Sequence, residues 1–264
     1  MRTTGKPENL AADGSAPVRS APMPPRGSFG AEEKAAAMRV FDAAIAGGTA
    51  FGYGGPEEEA FNREFADSMG GGFADGVNSG TNAVFLALAA LELPAGSEVV
   101  IPPITDPGGS SPVAILNCIP VQADSAPGMY NMGPEQLEAV ITEHTRAVVV
   151  AHIAGMPVDM DGIMAVARKH KLPVVEDCAQ AHGARLTGRL VGTFGDMASF
   201  STMFGKHMVT GGQGGVVYTR NEDLHWRGKR YADRGKPFNL QGTTNVVPAL
   251  NMNMDELSAA IGRE

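Results

Sequence analysis

The apolar positions of this chain change period along its length, and the changes outline the elements. Residues 31–47 (AEEKAAAMRVFDAAIAG) space apolar groups three and four apart, with Glu32 and Glu33 in the first turn, and predict a helix. Residues 56–69 (PEEEAFNREFADSM) open on proline and stop before Gly70-Gly71-Gly72, a second helix with its punctuation. A short strand reaches Val77, and a tight turn runs through Asn78, Ser79, Gly80 and Thr81. The almost wholly apolar run 83–93 then predicts a buried helix capped by Ser79 or Thr81.

Strand and helix alternate from there. Strands are expected at 98–102, 120–123, 146–152 and 172–175, and helices at 112–117, 134–143 and 159–170, with a glycine-rich turn at 105–111. Apolar runs at 197–201 and 216–219 add strands, residues 221–233 a basic and aromatic helix, and 234–250 an irregular loop. The alternation predicts an α/β fold, a mostly parallel sheet sandwiched by helices, whose ligands collect at the carboxyl ends of the strands. Asn78, Thr105, Asp177 and Ser201 all fall at such ends.

Residues 1–30, polar and rich in proline, glycine and serine, read as an N-terminal arm, and 31–250 as one large domain. A helix begins near Met254 and its pattern is still running at the last residues. Residues 251–264 are therefore expected to open a C-terminal helix or small domain that is cut short.

Composition narrows the class. With 264 residues, 43% hydrophobic and 19% charged, the chain can bury a substantial core. A net charge of −8 without a basic cluster argues against nucleic acid and acidic membrane surfaces as partners. Two cysteines, Cys118 and Cys178, do not make a disulfide scaffold, and no apolar stretch has the length of a signal peptide or membrane span, so a cytoplasmic protein is expected.

The candidate chemistry lies in residues 172–219. One apolar run ends in Glu176 and Asp177, another in the hydroxyl of Ser201, and Lys206 follows before the cluster Gly211, Gly212, Gly214 and Gly215. An acid, a hydroxyl and an amine at strand ends are the groups that pyridoxal 5′-phosphate needs for its ring nitrogen, phosphate and aldehyde. Each residue also has a plainer reading. Asp177 needs a partner if buried, and a structural arginine would serve as well as a pyridinium. Lys206 is a surface charge unless partly desolvated, when it becomes a nucleophile toward carbonyls. Ser79 is a helix cap, or with Gly80 and Thr81 part of an anion site.

Three rival motifs fail. A phosphate-binding P-loop would need glycine and a hydroxyl where Phe200 and His207 stand. The cluster GGQGG lacks the dinucleotide pattern, and the six histidines show no paired metal spacing, so no metal is expected. His182 is a candidate to line the site.

In order along the chain, SGT before an apolar helix, ED-x-AQ-x-HGA, VG-x-FGD-x-ASFS, a lysine five residues on and G-x-GG-x-V-x-T resemble the DegT/DnrJ/StrS-type sugar aminotransferases. GGPEEEAFNREFA and AVVVAHIAGMPVDMDGI resemble them too. The resemblance implies the aspartate aminotransferase fold, pyridoxal phosphate as cofactor and a homodimer completed by the neighbour's 230–250 loop. It implies that Lys206 carries the cofactor as its internal aldimine, that Asp177 keeps the ring nitrogen protonated and that Gln180 lies beside the ring hydroxyl. It also implies that Gly80, Thr81 and Ser201 take the phosphate. It further implies amino transfer from glutamate or glutamine to a keto-sugar, nucleotide-linked, or to a cyclitol.

Two departures bear on the substrate. Asp106 stands where the family places an aromatic residue over the ring, and Asn253, two residues after Asn251, where it places an arginine. Asp106, His182, Arg234 and Asn251 are the candidate substrate contacts. A sugar dehydratase is the neighbouring alternative, disfavoured because such members carry histidine in place of the lysine. The other is a non-catalytic, truncated paralogue acting as a partner subunit.

Overall fold

The computed structural model of the protein describes residues 16–24, 27 and 29–264. The arm expected over 1–30 lies largely outside the described residues; residues 16–24 form no helix or strand. Two helices precede the sheet. In α1 (Ala31–Gly47) the Glu33 carboxylate turns back to accept the Gly30 amide at 2.5 Å, and Gly48 at φ 64° ends the helix. α2 (Pro56–Ser68) begins on Pro56 and lays Phe61 and Phe65 inward.

The sheet is built from β1 (Phe73–Val77), β2 (Glu98–Ile101), β3 (Ile119–Gln122), β4 (Thr145–Ala151) and β5 (Val174–Asp177). After a two-stranded hairpin, β6 (Arg185–Leu186) and β7 (Arg189–Leu190), come β8 (Met197–Ser201) and β9 (Gly215–Thr219). The order is β1-β9-β8-β5-β4-β2-β3, parallel from β8 to β3, with β9 antiparallel to both its neighbours. The connections carry α3 (Gly80–Ala89), α4 (Ser111–Ile115), α5 (Pro134–Val140) and α6 (Met160–His170); α7 (Glu222–Ala232) and α8 (Glu256–Gly262) follow the sheet.

Helices cover both faces, which is why the central strands are apolar throughout rather than alternating. Val84 and Leu88 of α3 pack on Val99, Val149, Val175 and Met197. On the opposite face Val148, Val150 and Val174 meet Met160, Ile163 and Ala167 of α6. Phe61, Phe65, Phe200 and Met254 form a further cluster that joins α2 and the approach to α8 to the sheet, with the Phe65 and Phe200 rings edge-on at 5.0 Å.

The differences from the expected elements are local. α5 ends at Val140, three residues early, because Ile141 is extended and the Thr142 amide is taken by Thr145 Oγ1 at 2.9 Å. The helix predicted over 83–93 starts at Gly80 and ends at Ala89, with Glu92 at φ 50°. The hairpin had no forecast: Thr187 and Gly188 both take positive φ, 48° and 87°, a turn that joins two-residue strands. β5 runs two residues beyond its apolar run, so Glu176 and Asp177 are part of the sheet itself.

Candidate active site

Alternation along β5 sends its two carboxylates to opposite faces. Glu176 is fully buried. Its Oε1 accepts the amides of Phe194 and Gly195 at 2.7 and 2.6 Å, and its Oε2 accepts Gly192 N–H at 2.7 Å and His152 Nε2 at 3.1 Å. His152 Nδ1 accepts the Val158 amide at 3.0 Å, so the ring proton sits on Nε2 and donates to Glu176. Glu176, His152 and Cys178 converge closely enough to suggest a cation site, but these bonds already engage the carboxylate and the imidazole. The pair Glu176–Asp177 thus divides its work: Glu176 ties the loop before β8 to the turn after β4.

Asp177 faces the other way. Its Oδ1 accepts the Ala179 amide at 3.0 Å, and its Oδ2 lies 3.3 Å from where a Cβ on Gly109 would sit. Burial raises its pKa above the ordinary aspartate value. The Ala179 hydrogen bond and the nearby Lys206 charge pull it back in part.

α3 supplies the second wall. Ser79 Oγ accepts the Asn82 amide at 3.1 Å and Ser79 carbonyl the Ala83 amide at 3.0 Å. The Gly80 and Thr81 amides keep no acceptor among the described residues, at the positive end of a ten-residue helix. A Cβ on Gly80 would stand 2.5 Å from Ser201 Cβ, so only glycine lets the end of β8 approach this helix terminus. Ser79 is the cap the sequence allowed, and the Gly80 and Thr81 amides stay open beside the Ser201 hydroxyl.

The third wall is the loop from Thr202 to Gly214. Thr202 and Thr210 hydroxyls bond at 2.7 Å, the Phe204 amide donates to Gly212 carbonyl at 3.0 Å, and the Lys206 amide donates to Met203 carbonyl at 2.8 Å. Lys206 is half-buried, and its ammonium has no hydrogen-bond or ion-pair partner among the described residues. Gly80, Thr81, Asp106, Asp177, Ser201 and Lys206 line one cavity of about 240 Å³. Gln180 lies in a small adjoining space with Thr105, Asp106, Asp177 and Lys206; its Oε1 accepts the Ala154 amide at 2.8 Å, leaving the NH2 as its free end.

Three expected contacts lie elsewhere. His182 is a correction: it backs the site rather than lining it. Its Nε2 donates to Ser201 carbonyl at 2.9 Å, its ring stands edge-on to Phe200 at 5.4 Å, and burial pulls its pKa down to about 4. Arg234, at φ 56° just past α7, pairs with buried Asp233 at 2.7 Å and with the Tyr53 hydroxyl. Asn251 is exposed, and its Oδ1 accepts the Asn253 side-chain amide at 2.7 Å. Neither lines the cavity of this chain, because the turn after α7 is tied to Asp233 and Tyr53 instead. Sequence reasoning missed the approach of Gly108 and Gly109, the Glu176–His152 pair, and Phe204 and Gln213 in the cavity wall. The one available signal was a histidine ending an apolar strand beside a strand ending in two acids.

An open, mostly parallel sheet with a lysine, an acid and an open helix terminus at its carboxyl edge is the large-domain architecture of the pyridoxal-phosphate transferases. The chain belongs to the DegT/DnrJ/EryC1/StrS aminotransferase family, whose model matches residues 32–264. It is 37% identical over 202 residues to GDP-perosamine synthase of Caulobacter vibrioides, covering 76% of this chain and 54% of that one. It is 38% identical over 222 residues to the L-glutamine:2-deoxy-scyllo-inosose aminotransferase of Streptomyces lividus, covering 82% and 51%. Among solved structures, the aminotransferase from Psychrobacter cryohalolentis superposes with a TM-score of 0.84 at 37% identity, over 92% of this chain and 62% of that one. The chain thus spans about half the length of these two relatives. Among the described residues, no helix is long and apolar enough to cross a membrane.

Proposed function

We propose that this chain is a pyridoxal-phosphate-dependent aminotransferase that moves an amino group from glutamate or glutamine to a keto group on a nucleotide-linked sugar or a cyclitol. The observation that carries the reading is the cavity that joins Lys206, Asp177 and the open amides of α3. The donor set fits the cofactor group by group. The Gly80 and Thr81 amides with the Thr81 and Ser201 hydroxyls would hold the phosphate, Asp177 Oδ2 the ring nitrogen, the Gln180 NH2 the ring hydroxyl and Lys206 Nζ the aldehyde. When bound, pyridoxal phosphate supplies an aldehyde that condenses with amines and a protonated ring that draws electrons from the adjacent carbon.

The chain's own residues do the rest. Asp177, buried and with its pKa raised by that burial, would hold a proton on the ring nitrogen, and the cationic N–H would relieve the cost of its burial. Lys206 would hold the aldehyde and would take and return a proton at Nζ on the substrate side of the cavity. The fixed amides of α3 anchor the phosphate without moving. Lysine at 206 disfavours dehydration as the main reaction. The family, and the glutamine and cyclitol named for one relative, support the donor and acceptor. We further propose a homodimer in which the partner's 230–250 loop closes the site.

The test is an absorbance spectrum of purified protein with pyridoxal phosphate, before and after glutamate or glutamine, followed by a screen of keto-sugar nucleotides and inososes. A band at the visible edge, bleached by the donor and absent in Lys206→Ala, is expected. A spectrum unchanged by Lys206→Ala would overturn the reading.

A further inference from the structure

The cavity carries one charge that the cofactor reading does not use. Asp106 Oδ1 accepts the Gly108 amide at 2.8 Å and opens a 3₁₀ turn over Pro107–Gly109. Asparagine would close that turn as well, so the backbone requires the acceptor and not the negative charge. The placement is specific. A Cβ on Gly108 would meet Thr81 Oγ1 at 2.5 Å and Asp106 Oδ1 at 3.0 Å, so the carboxylate and the hydroxyl at the mouth of α3 flank one point. The ionisable groups lining the cavity are Asp106, Asp177 and Lys206, two acids and one base. Burial is the main cause of the raised Asp177 pKa, and the Asp106 charge adds to it. A phosphate brought to the Gly80 and Thr81 amides adds like charge beside Asp106, and at a few ångströms such charges repel appreciably even in partly solvated surroundings.

We propose that Asp106 is a specificity-determining residue of this cavity: its carboxylate, set beside Thr81, weakens the hold on a dianionic phosphate at the N-terminus of α3. Pyridoxal phosphate then binds reversibly and exchanges with solution instead of being retained. This inference rests on the cofactor reading above and adds to it a reason for loose retention.

Asp106→Asn isolates the charge because it keeps the turn. Full-length wild type and Asp106→Asn, stripped of cofactor, are titrated by absorbance with pyridoxal phosphate and with pyridoxal, which offers the same aldehyde without the phosphate. Thermal shifts with inorganic phosphate are measured in parallel. At low ionic strength Asp106→Asn is expected to tighten pyridoxal phosphate by about fivefold, the gain shrinking as salt rises. The thermal upshift with inorganic phosphate grows likewise, and pyridoxal is unchanged. Equal or weaker binding of pyridoxal phosphate by Asp106→Asn, or an equal gain for pyridoxal, overturns the proposal. If neither protein develops a band but inorganic phosphate still separates them, the cofactor reading fails and the effect of the charge stands. If phosphate does not separate them either, both fall.

Discussion

Two adjacent acids on β5 show how environment divides one chemistry into two roles. Glu176 accepts four hydrogen bonds in a fully buried site, two at each oxygen. Glutamine there must turn an NH2 toward two N–H donors whichever way it flips. Glu176→Gln is therefore expected to lower stability by about 3 kcal/mol or more, read as the shift in urea unfolding. Asp177 is the reverse case. Its carboxylate has one backbone donor and a pKa raised by burial, so ionising it carries a cost that a cationic partner would remove. Asp177→Asn is expected to raise the melting temperature of the cofactor-free protein by a few degrees while abolishing amino transfer. A melting temperature that falls together with activity would show that Asp177 is a structural residue.

At the level of elements, what the chain made legible was what burial dictates. The strands of a sheet covered on both faces read as unbroken apolar runs, and β4 and β8 were visible for that reason. The site was legible where chemistry sits at the end of such a run: Asp177, Ser201 and Lys206 met in one cavity, and Gly80 and Thr81 joined them through the turn before α3. What stayed hidden depended on approach in space. Nothing local marks Gly108 as the neighbour of Thr81, and a two-residue strand such as β6 has no period to detect. Arg234 looks like an anion contact from its chemistry, and Asn251 like a substrate contact only through the family resemblance, but Asp233, only 2% exposed, claims the arginine. The contact between α3 and β8 yields its own prediction. In Gly80→Ala the new methyl would overlap Ser201 and push the helix terminus from the strand end. A loss of about 1–3 kcal/mol and at least tenfold weaker pyridoxal-phosphate binding are expected, measured by unfolding and by absorbance titration. Unchanged binding would mean that the phosphate is held elsewhere.

Across the whole molecule, two buried groups on different elements oppose one another in acid. Glu58 of α2 is pushed up to about 7. Burial is the main cause, aided by the charges of Asp75 and Glu256 and opposed by the Gly54 amide and Lys229. Its folded form keeps a proton that the unfolded chain gives up near 4.5, so its contribution to stability is complete below 4.5 and is lost as pH rises through 7. His182 is pulled down to about 4 by burial and by the neighbouring His207 and Lys206, the bond to Ser201 resisting. Here the unfolded chain takes the proton first, so stability is complete above 6.5 and lost as pH falls through 4. Between 4.5 and 6.5 the two slopes have opposite sign and cancel, although Asp177, raised like Glu58, adds to the Glu58 side until a ligand cation pairs with it. Single variants should unmask each half. Glu58→Gln keeps an acceptor for the Gly54 amide and leaves the His182 dependence exposed, with stability rising by on the order of 3 kcal/mol from pH 4 to 6.5. His182→Asn keeps a donor for Ser201 carbonyl and leaves stability falling by a similar amount, about 3 kcal/mol, from pH 4.5 to 7. Urea midpoints across that range decide it: mirror-image slopes in the two variants with a flatter wild type are expected, and parallel curves for all three proteins would show that neither group is linked to folding.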